Sequence, residues 1–381
     1  MDLMTGGRTG RRRAKEISAR LGSLDVILLL TSLVLCGIGI GAVYIAGQND
    51  QRAYAVSQAQ GLVIGLAGAV ALMLIDYRFW QRFLRPIYAV MLAMLVVVLV
   101  VGVSAGGAQR WIDVGPVQVQ PSEFAKPLMV VVLAGYLASS NAGRLPVLLK
   151  ALALTAVPAF LVFLQPDLGT AGVFGAIFLV VAYAAGARLW QLGGLVLIGA
   201  VGGGIAVRFG LIPAYQIARI TAFLNHDCTS GISYQVCQSR MAIGSGGFFG
   251  KGLGATTLAN LGFLPEDHTD FIFSNLAERI GFVGSVLIIG LFFVLIWRSL
   301  RVATIARDRF GVLLAAGIST IFLFHVFVNI GMTMGIMPVA GIPLPFISYG
   351  RSSLVVDVMA VGLLESIAMR ARQLPRREEG I

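Results

Sequence analysis

The sequence predicts an all-α polytopic membrane protein with about ten transmembrane helices. Hydrophobic residues make up 57% of the 381-residue chain, and charged residues make up only 12%. The apolar residues recur in runs of about 20 residues, the length that a helix needs to cross the hydrocarbon layer. Backbone amides inside lipid must be paired within their own segment, which favours helices. The alternating pattern of a transmembrane barrel is absent from the sequence.

The predicted spans are even in number, so both termini are expected on one side. Most arginines lie in tails and loops on that side, which the positive-inside rule assigns to the cytoplasm. The sequence predicts a basic cytoplasmic tail at 1–24, a membrane domain at 25–369 and a second cytoplasmic tail at 370–381. The individual spans are predicted at 25–47, 56–76, 86–104, 124–140, 147–165, 168–187, 190–210, 274–297, 311–335 and 347–369.

The net charge of +11 does not indicate a nucleic-acid-binding protein. The basic residues lie in short tails and loops, where membrane topology and attraction to anionic lipids explain them. Membrane lipids are therefore expected partners, and nucleic acid is not. The basic N-terminus precedes an apolar run without a convincing cleavage site, which favours a retained first helix over a signal peptide.

Two substantial loops lie on the face opposite to the arginines. They cover 105–123 and, between the seventh and eighth spans, 211–273. Long loops in a tightly connected fold are often functional. The second loop ends in LPEDHTDFIF, where carboxylates and a histidine crowd the start of an apolar segment. Charges at membrane depth are costly and usually functional, so the sequence places a candidate site on this face.

Several polar residues near these loops also have structural explanations. Trp111 suits a membrane interface. In PSEFAK, Ser122 suits a helix N-cap, while Glu123 and Lys126 have the i, i+3 spacing of a helical ion pair. Asp167, in LQPDLGTAG, suits the cap of the sixth span. Each of these explanations stands beside a functional one.

The large loop holds two further features. The glycines of segment 244–252 fit either a hinge or a nest of backbone amides that receives an anion. Cys228 and Cys237 share the loop, and thiols outside the cytoplasm can oxidise. A disulfide closing so small a loop would stabilise it by roughly 2–3 kcal/mol. Two unpaired thiols are the alternative; Cys36 lies inside the first span and has no such neighbour.

A series of motifs occurs in a fixed order along essentially the whole chain: RWI and QPSEFAK, then QPDLGTA, YQ..QS..AIGSGG, LPE.HTDFIF and PLPFISYG. In this combination the chain resembles the SEDS (shape, elongation, division and sporulation) family, and its rod-shape elongation branch in particular. The resemblance implies a peptidoglycan glycosyltransferase that polymerises lipid II. It also implies a bacterial inner (plasma) membrane location, an extracytoplasmic active site and a class B penicillin-binding protein, a transpeptidase, as partner.

The reaction implied by the resemblance inverts the anomeric centre, because an α-linked donor gives a β-1,4-linked glycan. A single displacement needs one base and stabilisation of the departing pyrophosphate, and no enzyme nucleophile. Asp270 matches the essential aspartate of the family's HTDF motif and is expected to be the catalytic base. Desolvation would raise the pKa of Asp270, while the positive end of the helix dipole would lower it. The structural alternative is that Asp270 caps the eighth span.

Basic residues in the motifs are expected to bind the pyrophosphate or the donor, and the candidates are Arg110, Lys126, Arg219 and Arg240. Glu266 and His268 are expected to shape the site or position the base. The other substrate-binding candidates are Trp111, Ser122, Glu123, Asp167, Gln238, Ser239, Thr269 and Ser348. No zinc site is predicted, because HTD lacks a second histidine at ligand spacing. The sequence does not decide whether a divalent cation binds at the pyrophosphate, since it does not identify ligands for one.

Two positions depart from the family's pattern. Arg351 follows Gly350 where the family usually has a second glycine, and its guanidinium would face either a phosphate or a loop carboxylate. Arg279 follows Glu278 where the family commonly has a second glutamate, so no second acid is present at this position to support the site.

Two functions from other classes are alternatives. A flippase for a lipid-linked precursor would need a polar path through the bilayer, whereas the motif residues cluster on the outer face. The polar intramembrane residues that support the flippase alternative are Asp357, Glu365 and the i, i+4 pair His325 and Asn329. The second alternative is a non-catalytic scaffold for a cell-wall transpeptidase, which polymerisation by the purified protein would exclude.

Overall fold

The computed structural model describes residues 23–46, 51–105, 108–115, 117–210, 214–224, 228, 231–254 and 268–372. Within these ranges ten helices are 17 residues or longer, and each overlaps one of the predicted spans. Eight of them are long and apolar enough to cross a membrane. The other two are Leu168–Ala184, which is shorter, and Pro121–Ala138, which carries a charged pair. The prediction of an all-α polytopic membrane protein is confirmed.

The described part of the large loop contains two short helices, Ala214–Leu224 and Gly231–Ser245, that were not predicted. A 3-10 helix at Tyr77–Phe83 also precedes α3. In chain order the helices are α1 Val26–Ala46, α2 Gln51–Leu74, α3 Leu84–Val101, α4 Pro121–Ala138, α5 Leu145–Leu164, α6 Leu168–Ala184, α7 Leu189–Arg208, α8 Ala214–Leu224, α9 Gly231–Ser245, α10 Ile272–Ile305, α11 Arg309–Thr333 and α12 Arg351–Arg372.

The loop predicted at 105–123 and the end of the preceding segment contribute to a small antiparallel sheet that was not predicted. Its strands are β1 Val103–Ala105, β2 Ala108–Val114 and β3 Val117–Val119, in the order β1-β2-β3. Trp111 pairs with Val103, and Asp113 pairs with Gln118. The alternation of polar and apolar residues in WIDV and VQVQ is the signal that could have found these strands. The sheet places consecutive polar and aromatic side chains of β2 above the helix bundle.

Helices α11 and α12 form the buried centre of the bundle. Their apolar windows are 78% and 94% buried. Helix α12 lies against α2 at a very short distance: a Cβ at Gly362 would be 2.5 Å from the Cα of Ala69, and a Cβ at Gly65 would be 3.2 Å from the Cα of Val355. Small residues permit such close packing between membrane helices.

A break at Gly281, where φ is 70°, interrupts α10 near its start. The glycine-rich segment 244–252 packs its backbone against this break. Its amides at 246, 247 and 250–252 donate to main-chain carbonyls, including those of Glu278 and Arg279. A Cβ at Gly250 would lie 2.1 Å from the carbonyl oxygen of Arg279, so a side chain does not fit there. The alternative of an anion-binding nest is therefore wrong, because these amides already have main-chain partners.

A buried ion pair joins α1, α10 and α12 at the end of the bundle where α10 and α12 finish. Asp25 accepts hydrogen bonds from Arg298 at 3.0 and 2.5 Å and from Arg372 at 3.3 Å. The backbone amide of Asp25 donates to Glu365 at 2.9 Å. Glu365 is thus part of a structural cluster with Asp25, Arg298 and Arg372. We call this end of the bundle the arginine end.

Candidate functional site

Two neighbouring cavities open at the end of the bundle opposite to the arginine end. We call them the Asp270 cavity, about 450 Å³, and the Arg351 cavity, about 700 Å³. The side chains that give the Asp270 cavity its charge are Asp270, Arg219, Arg110 and Glu123. The residues shared by both cavities are Trp111, Thr269, Tyr349 and Gly350. Residues of the loop predicted at 105–123, of the large loop and of the PLPFISYG segment therefore meet at one site, as the sequence predicted.

The side chains of Asp270 and Arg219 converge on Gly341. A Cβ at Gly341 would lie 3.6 Å from Oδ2 of Asp270 and 3.4 Å from Nη1 of Arg219, and the residue has a φ of 67°. Arg219 also donates to the carbonyl of Ala340 at 3.2 Å. A carboxylate and a guanidinium thus flank a main-chain surface that only glycine leaves uncovered.

The segment that carries Asp270 is positioned by Asn329 of α11. The Asn329 side chain donates to the carbonyl of Asp270 at 3.1 Å and to the carbonyl of Ile342 at 2.8 Å. Helix α10 begins at Ile272, and its N-cap position is occupied by Phe271, which makes no side-chain cap. Asp270 therefore precedes the cap position, and the alternative of a capping aspartate does not match the structure.

Main-chain contacts join the HTD segment to the PLPFISYG segment. Ser348 donates through Oγ to the carbonyl of Thr269 at 2.7 Å and accepts from the amide of Leu344 at 2.8 Å. The amide of Tyr349 donates to the carbonyl of His268 at 2.9 Å. Ser348, predicted to bind substrate, is 2% exposed and instead fixes the two segments to each other.

Arg110 is held beside the start of α6. Its guanidinium donates to the carbonyls of Gln165, at 2.9 Å, and Pro166. Its Nη1 lies 3.9 Å from Oδ2 of Asp167. Asp167 is 2% exposed and caps α6 through the amide and hydroxyl of Thr170, both at 3.0 Å. Asp167 therefore supports Arg110 and caps α6 rather than contacting a substrate in the cavity.

Lys126 lies beneath Glu123 and does not line either cavity. Its Nζ is 2.8 Å from both carboxylate oxygens of Glu123 and 3.1 Å from Nε2 of His325. Lys126 is 1% exposed and Glu123 is 2% exposed. The predicted pair is present, but this burial does not support direct pyrophosphate binding by Lys126. Glu123 reaches the cavity, and Lys126 balances its charge from below.

The other predicted site residues lie away from the two cavities or outside the described residues. Ser122 is 1% exposed at the start of α4. Ser239 is fully buried, where it contacts Ser274 at 2.5 Å and the carbonyl of Thr333 at 2.7 Å, so it packs helices together. Gln238 and Arg240, further along α9, line neither cavity. Glu266 lies outside the described residues.

An aromatic cluster forms one side of the Arg351 cavity. The rings of Tyr54 and His268 stack with centroids 5.2 Å apart, and Tyr349 meets Tyr54 edge-on at 4.9 Å. Only His268 of these three belongs to a motif that predicted the site. Tyr54, Ser57 and Gln58 share one face at the start of α2 by their i, i+3 and i+4 spacing, which is the signal that could have found them.

Gln235 is a second missed residue, because it lines the Asp270 cavity three positions before the predicted Gln238. Asn329 is a third missed site residue, because its position in the sequence supported only the flippase alternative. Its contact with Asp270 joins positions 59 residues apart, and no local pattern predicts such a pair.

The two departures from the family's pattern have different surroundings. Arg279 is 3% exposed and donates to Asn275 at 2.8 Å and to the carbonyl of Leu253 at 2.7 Å, which ties α10 to the glycine-rich segment. Glu278 accepts from Lys251 at 2.6 Å. Arg351 instead lines the cavity that carries its name.

The structure joins Cys228 and Cys237 by a disulfide, with Cα atoms 5.7 Å apart. This bridge ties the middle of α9 to the chain that precedes the helix. Cys36 is a buried free thiol within α1.

The fold and the site together define an integral membrane protein with a charged, solvent-facing site at one end of a helix bundle. Comparison with known families gives a more specific assignment. The model of the FtsW/RodA/SpoVE family, described as "Cell cycle protein", matches residues 23–373. The chain belongs to this family, and the SEDS resemblance is confirmed.

Named relatives support the same assignment over nearly the whole chain. An FtsW protein of Trichlorobacter lovleyi is 37% identical over 373 residues, which is 93% of this chain and 96% of that protein. Peptidoglycan glycosyltransferase MrdB of Escherichia coli K12 is 36% identical over 358 residues, 93% of this chain and 95% of its own.

Solved structures of the family share the fold. A chain from a peptidoglycan synthase complex that coordinates polymerization and crosslinking has a TM-score of 0.79 and 28% identity, with 92% of this chain and 99% of that chain covered. The rod shape determining protein RodA of Thermus thermophilus has a TM-score of 0.68 and 29% identity, with coverages of 91% and 96%.

Proposed function

We propose that this protein is a peptidoglycan glycosyltransferase that polymerises lipid II into β-1,4-linked glycan strands. The observation that carries the proposal is the Asp270 cavity, where the carboxylate of Asp270 lines the same space as the guanidinium groups of Arg219 and Arg110. A single displacement at a sugar pyrophosphate needs a base and a cationic surface for the leaving group. The activity in the name of the relative MrdB, at 36% identity, supports this assignment.

In the proposed mechanism Asp270 is the general base. Its carboxylate takes the proton of the acceptor sugar's 4-hydroxyl while that oxygen forms a bond to the anomeric carbon of the donor. The bond from that carbon to the pyrophosphate oxygen breaks, and the electron pair leaves with the pyrophosphate. Arg219 and Arg110 stabilise the charge that develops there. Attack opposite to the leaving group inverts the α-linkage to β.

Glu123 is proposed to shape the same cavity while Lys126 keeps its charge balanced. A carboxylate that faces a pyrophosphate would repel it, and the ammonium 2.8 Å from both of its oxygens reduces that repulsion. Lys126 therefore contributes to pyrophosphate binding indirectly. This replaces the expectation of a direct contact with a role that fits its burial.

A divalent cation at the pyrophosphate stays a proposal. In the part of the chain that the structure describes, no group of three or more His, Cys, Asp and Glu side chains gathers as a metal site. Glu123 and Asp270 both line the cavity, and two carboxylates with pyrophosphate oxygens are suitable ligands for Mg²⁺. The steps above need only the residues of this chain.

The orientation that we propose places the cavities outside the cytoplasm of a bacterium, in its inner (plasma) membrane, with both termini inside. The arginine end carries Arg298, Arg301, Arg307, Arg370 and Arg372, which the positive-inside rule assigns to the cytoplasm. A class B penicillin-binding protein is the proposed partner. Its support is the structural similarity to a chain of a synthase complex that couples polymerization to crosslinking.

A role in elongation and rod shape is the finer proposal, and it rests on the stretches GFLPEDHTDFIFSNLAE and GIPLPFISYG. Sequence identity does not discriminate between elongation and division, because the relatives named FtsW and MrdB are 37% and 36% identical to this chain. Depletion of the protein in its own cells should give round cells. Filaments that fail to divide would contradict the elongation role.

The purified protein should convert lipid II into glycan polymer in detergent without a transpeptidase. A flippase would instead move lipid II across proteoliposomes and make no polymer, and a scaffold would do neither. Three of the polar residues that supported the flippase alternative have structural partners. Asn329 contacts the carbonyl of Asp270, Asp357 accepts from the amide of Phe346 at 3.4 Å, and Glu365 accepts from the amide of Asp25. These contacts favour the glycosyltransferase.

A further inference from the structure

We propose that the Arg351 cavity binds the acceptor, a saccharide that carries a pyrophosphate, with that pyrophosphate against Arg351. The inference rests on the proposed glycosyltransfer and deepens it. When one lipid II attacks another, the donor loses its pyrophosphate and the acceptor keeps its own. A site that holds both substrates therefore needs two cationic positions. Arg110 and Arg219 provide the first in the Asp270 cavity, and Arg351 provides the second.

The surroundings of Arg351 leave its charge available to a ligand. Its Nε and Nη2 donate to Oγ of Ser57 at 3.1 and 2.7 Å, and Nη2 also lies 3.3 Å from Oε1 of Gln60. These neutral partners orient the guanidinium without neutralising it. Among the described residues no carboxylate forms an ion pair with Arg351, and its Nη1 has no hydrogen-bond partner. Of the two alternatives left by the sequence, the structure thus favours the phosphate over the loop carboxylate.

The rest of the cavity suits a sugar. The stacked rings of Tyr54 and His268 and the edge-on ring of Tyr349 present aromatic surface to it. Gln118 and Asp113 of the small sheet also line the cavity and offer hydrogen-bonding groups for hydroxyls.

The shared wall connects this cavity to the proposed base. Thr269 and Tyr349 line both cavities, and Thr269 directly precedes Asp270. The position of Arg351 relative to this wall is fixed, because Gln58 accepts from the amide of the adjacent Gly350 at 3.2 Å and donates to the carbonyl of Ser348 at 2.9 Å. A saccharide with its pyrophosphate at Arg351 therefore extends its far hydroxyl toward the wall beside Asp270.

The test uses two lipid II analogues that each play one role. In the donor analogue a hydrogen replaces the 4-hydroxyl, so it cannot accept. In the acceptor analogue a methylene group replaces the anomeric oxygen, so it cannot donate. Together they give one product, a capped tetrasaccharide. Arg351→Gln should raise the KM for the acceptor analogue about 10- to 100-fold, the range for a lost charged hydrogen bond. The KM for the donor analogue and kcat should stay within about twofold.

Arg351→Lys should recover part of the acceptor affinity, because it restores the charge. The matched control is Arg301→Gln, which removes an exposed arginine at the arginine end and should change nothing. A third substrate, the acceptor disaccharide without its pyrophosphate, should be used equally by the wild type and Arg351→Gln. An equal loss with this neutral acceptor would overturn the proposal in favour of a packing role, and so would a rise in the donor KM alone.

The outcomes separate this inference from the proposed function. Product formation by the wild type with an unchanged acceptor KM in Arg351→Gln would overturn only the assignment of Arg351. No product from the wild type, with both analogues saturating, would overturn the glycosyltransferase and this inference with it.

Discussion

Removing either charge of the Glu123–Lys126 pair is expected to destabilise the protein strongly. The Nζ of Lys126 lies 2.8 Å from both oxygens of Glu123, and the two side chains are only 2% and 3% exposed. Water therefore screens both groups only weakly. Lys126→Met would leave Glu123 as an uncompensated buried charge, and the loss of one partner from such a pair costs about 3–5 kcal/mol. Glu123→Gln would leave the ammonium beside His325 without its carboxylate partner.

The assay is a double-mutant cycle on the free energy of unfolding in mixed micelles, with polymerisation measured in parallel. The double variant Glu123→Gln/Lys126→Met contains no unpaired charge, so its loss should be smaller than the sum of the single losses. For groups in direct contact the coupling should reach about 0.5–3 kcal/mol. Single losses that add within about 0.3–0.5 kcal/mol would refute the direct pairing.

The pair Arg78–Asp308 is the matched control, because it has a similar separation but a different exposure. Its atoms are 2.5 Å apart, and the side chains are 49% and 31% exposed. Exposed pairs contribute about 0–1 kcal/mol. The coupling measured for Arg78→Met and Asp308→Asn should therefore fall below that for the buried pair. An equal coupling would show that burial is not the cause.

Two further predictions concern the large loop and the support of the base. Peptides from the non-reduced protein should contain Cys228 joined to Cys237, and mass spectrometry that finds both thiols alkylated would contradict the bridge. Asn329→Leu should lower kcat about 10- to 100-fold, since the carbonyls of Asp270 and Ile342 lose their donor and the segment that carries the base is no longer held, and should leave the KM for lipid II nearly unchanged. Ser319→Ala on the same helix is its control, and an effect on KM instead of kcat would argue against positioning.

The sequence predicted the helices and the segments that meet at the site, because both leave local signals. Apolar runs gave the spans, and the motifs with Arg110, Arg219 and Asp270 gave the charges of the first cavity. The convergence of Asp270 and Arg219 beside Gly341 depends on tertiary packing, and a motif alone does not show it. The same limit explains why Asn329 was not recognised as a support for Asp270.

The sequence was less informative about polar residues that serve structure. Asp167 and Lys126 had plausible roles in substrate binding, yet both are buried and support a neighbour that reaches the cavity. The glycines at 244–252 fitted an anion nest, but the amides of Gly246, Gly247, Gly250 and Gly252 donate to main-chain carbonyls, either nearby in the chain or just before the break at Gly281. Burial and hydrogen-bond partners decide such cases, and both depend on residues distant in sequence.

The measurement that tests the central claim most directly is polymerisation of lipid II by purified, folded Asp270→Asn. Asparagine nearly preserves the volume and cannot accept the proton, so the rate should fall by about 10²–10⁴-fold. Binding of lipid II, measured separately, should largely survive, because the pyrophosphate contacts are assigned to Arg110, Arg219 and Arg351. Polymerisation near the wild-type rate would contradict the account and remove Asp270 from the chemistry. Lost binding with chemistry intact would make it a substrate-positioning residue instead.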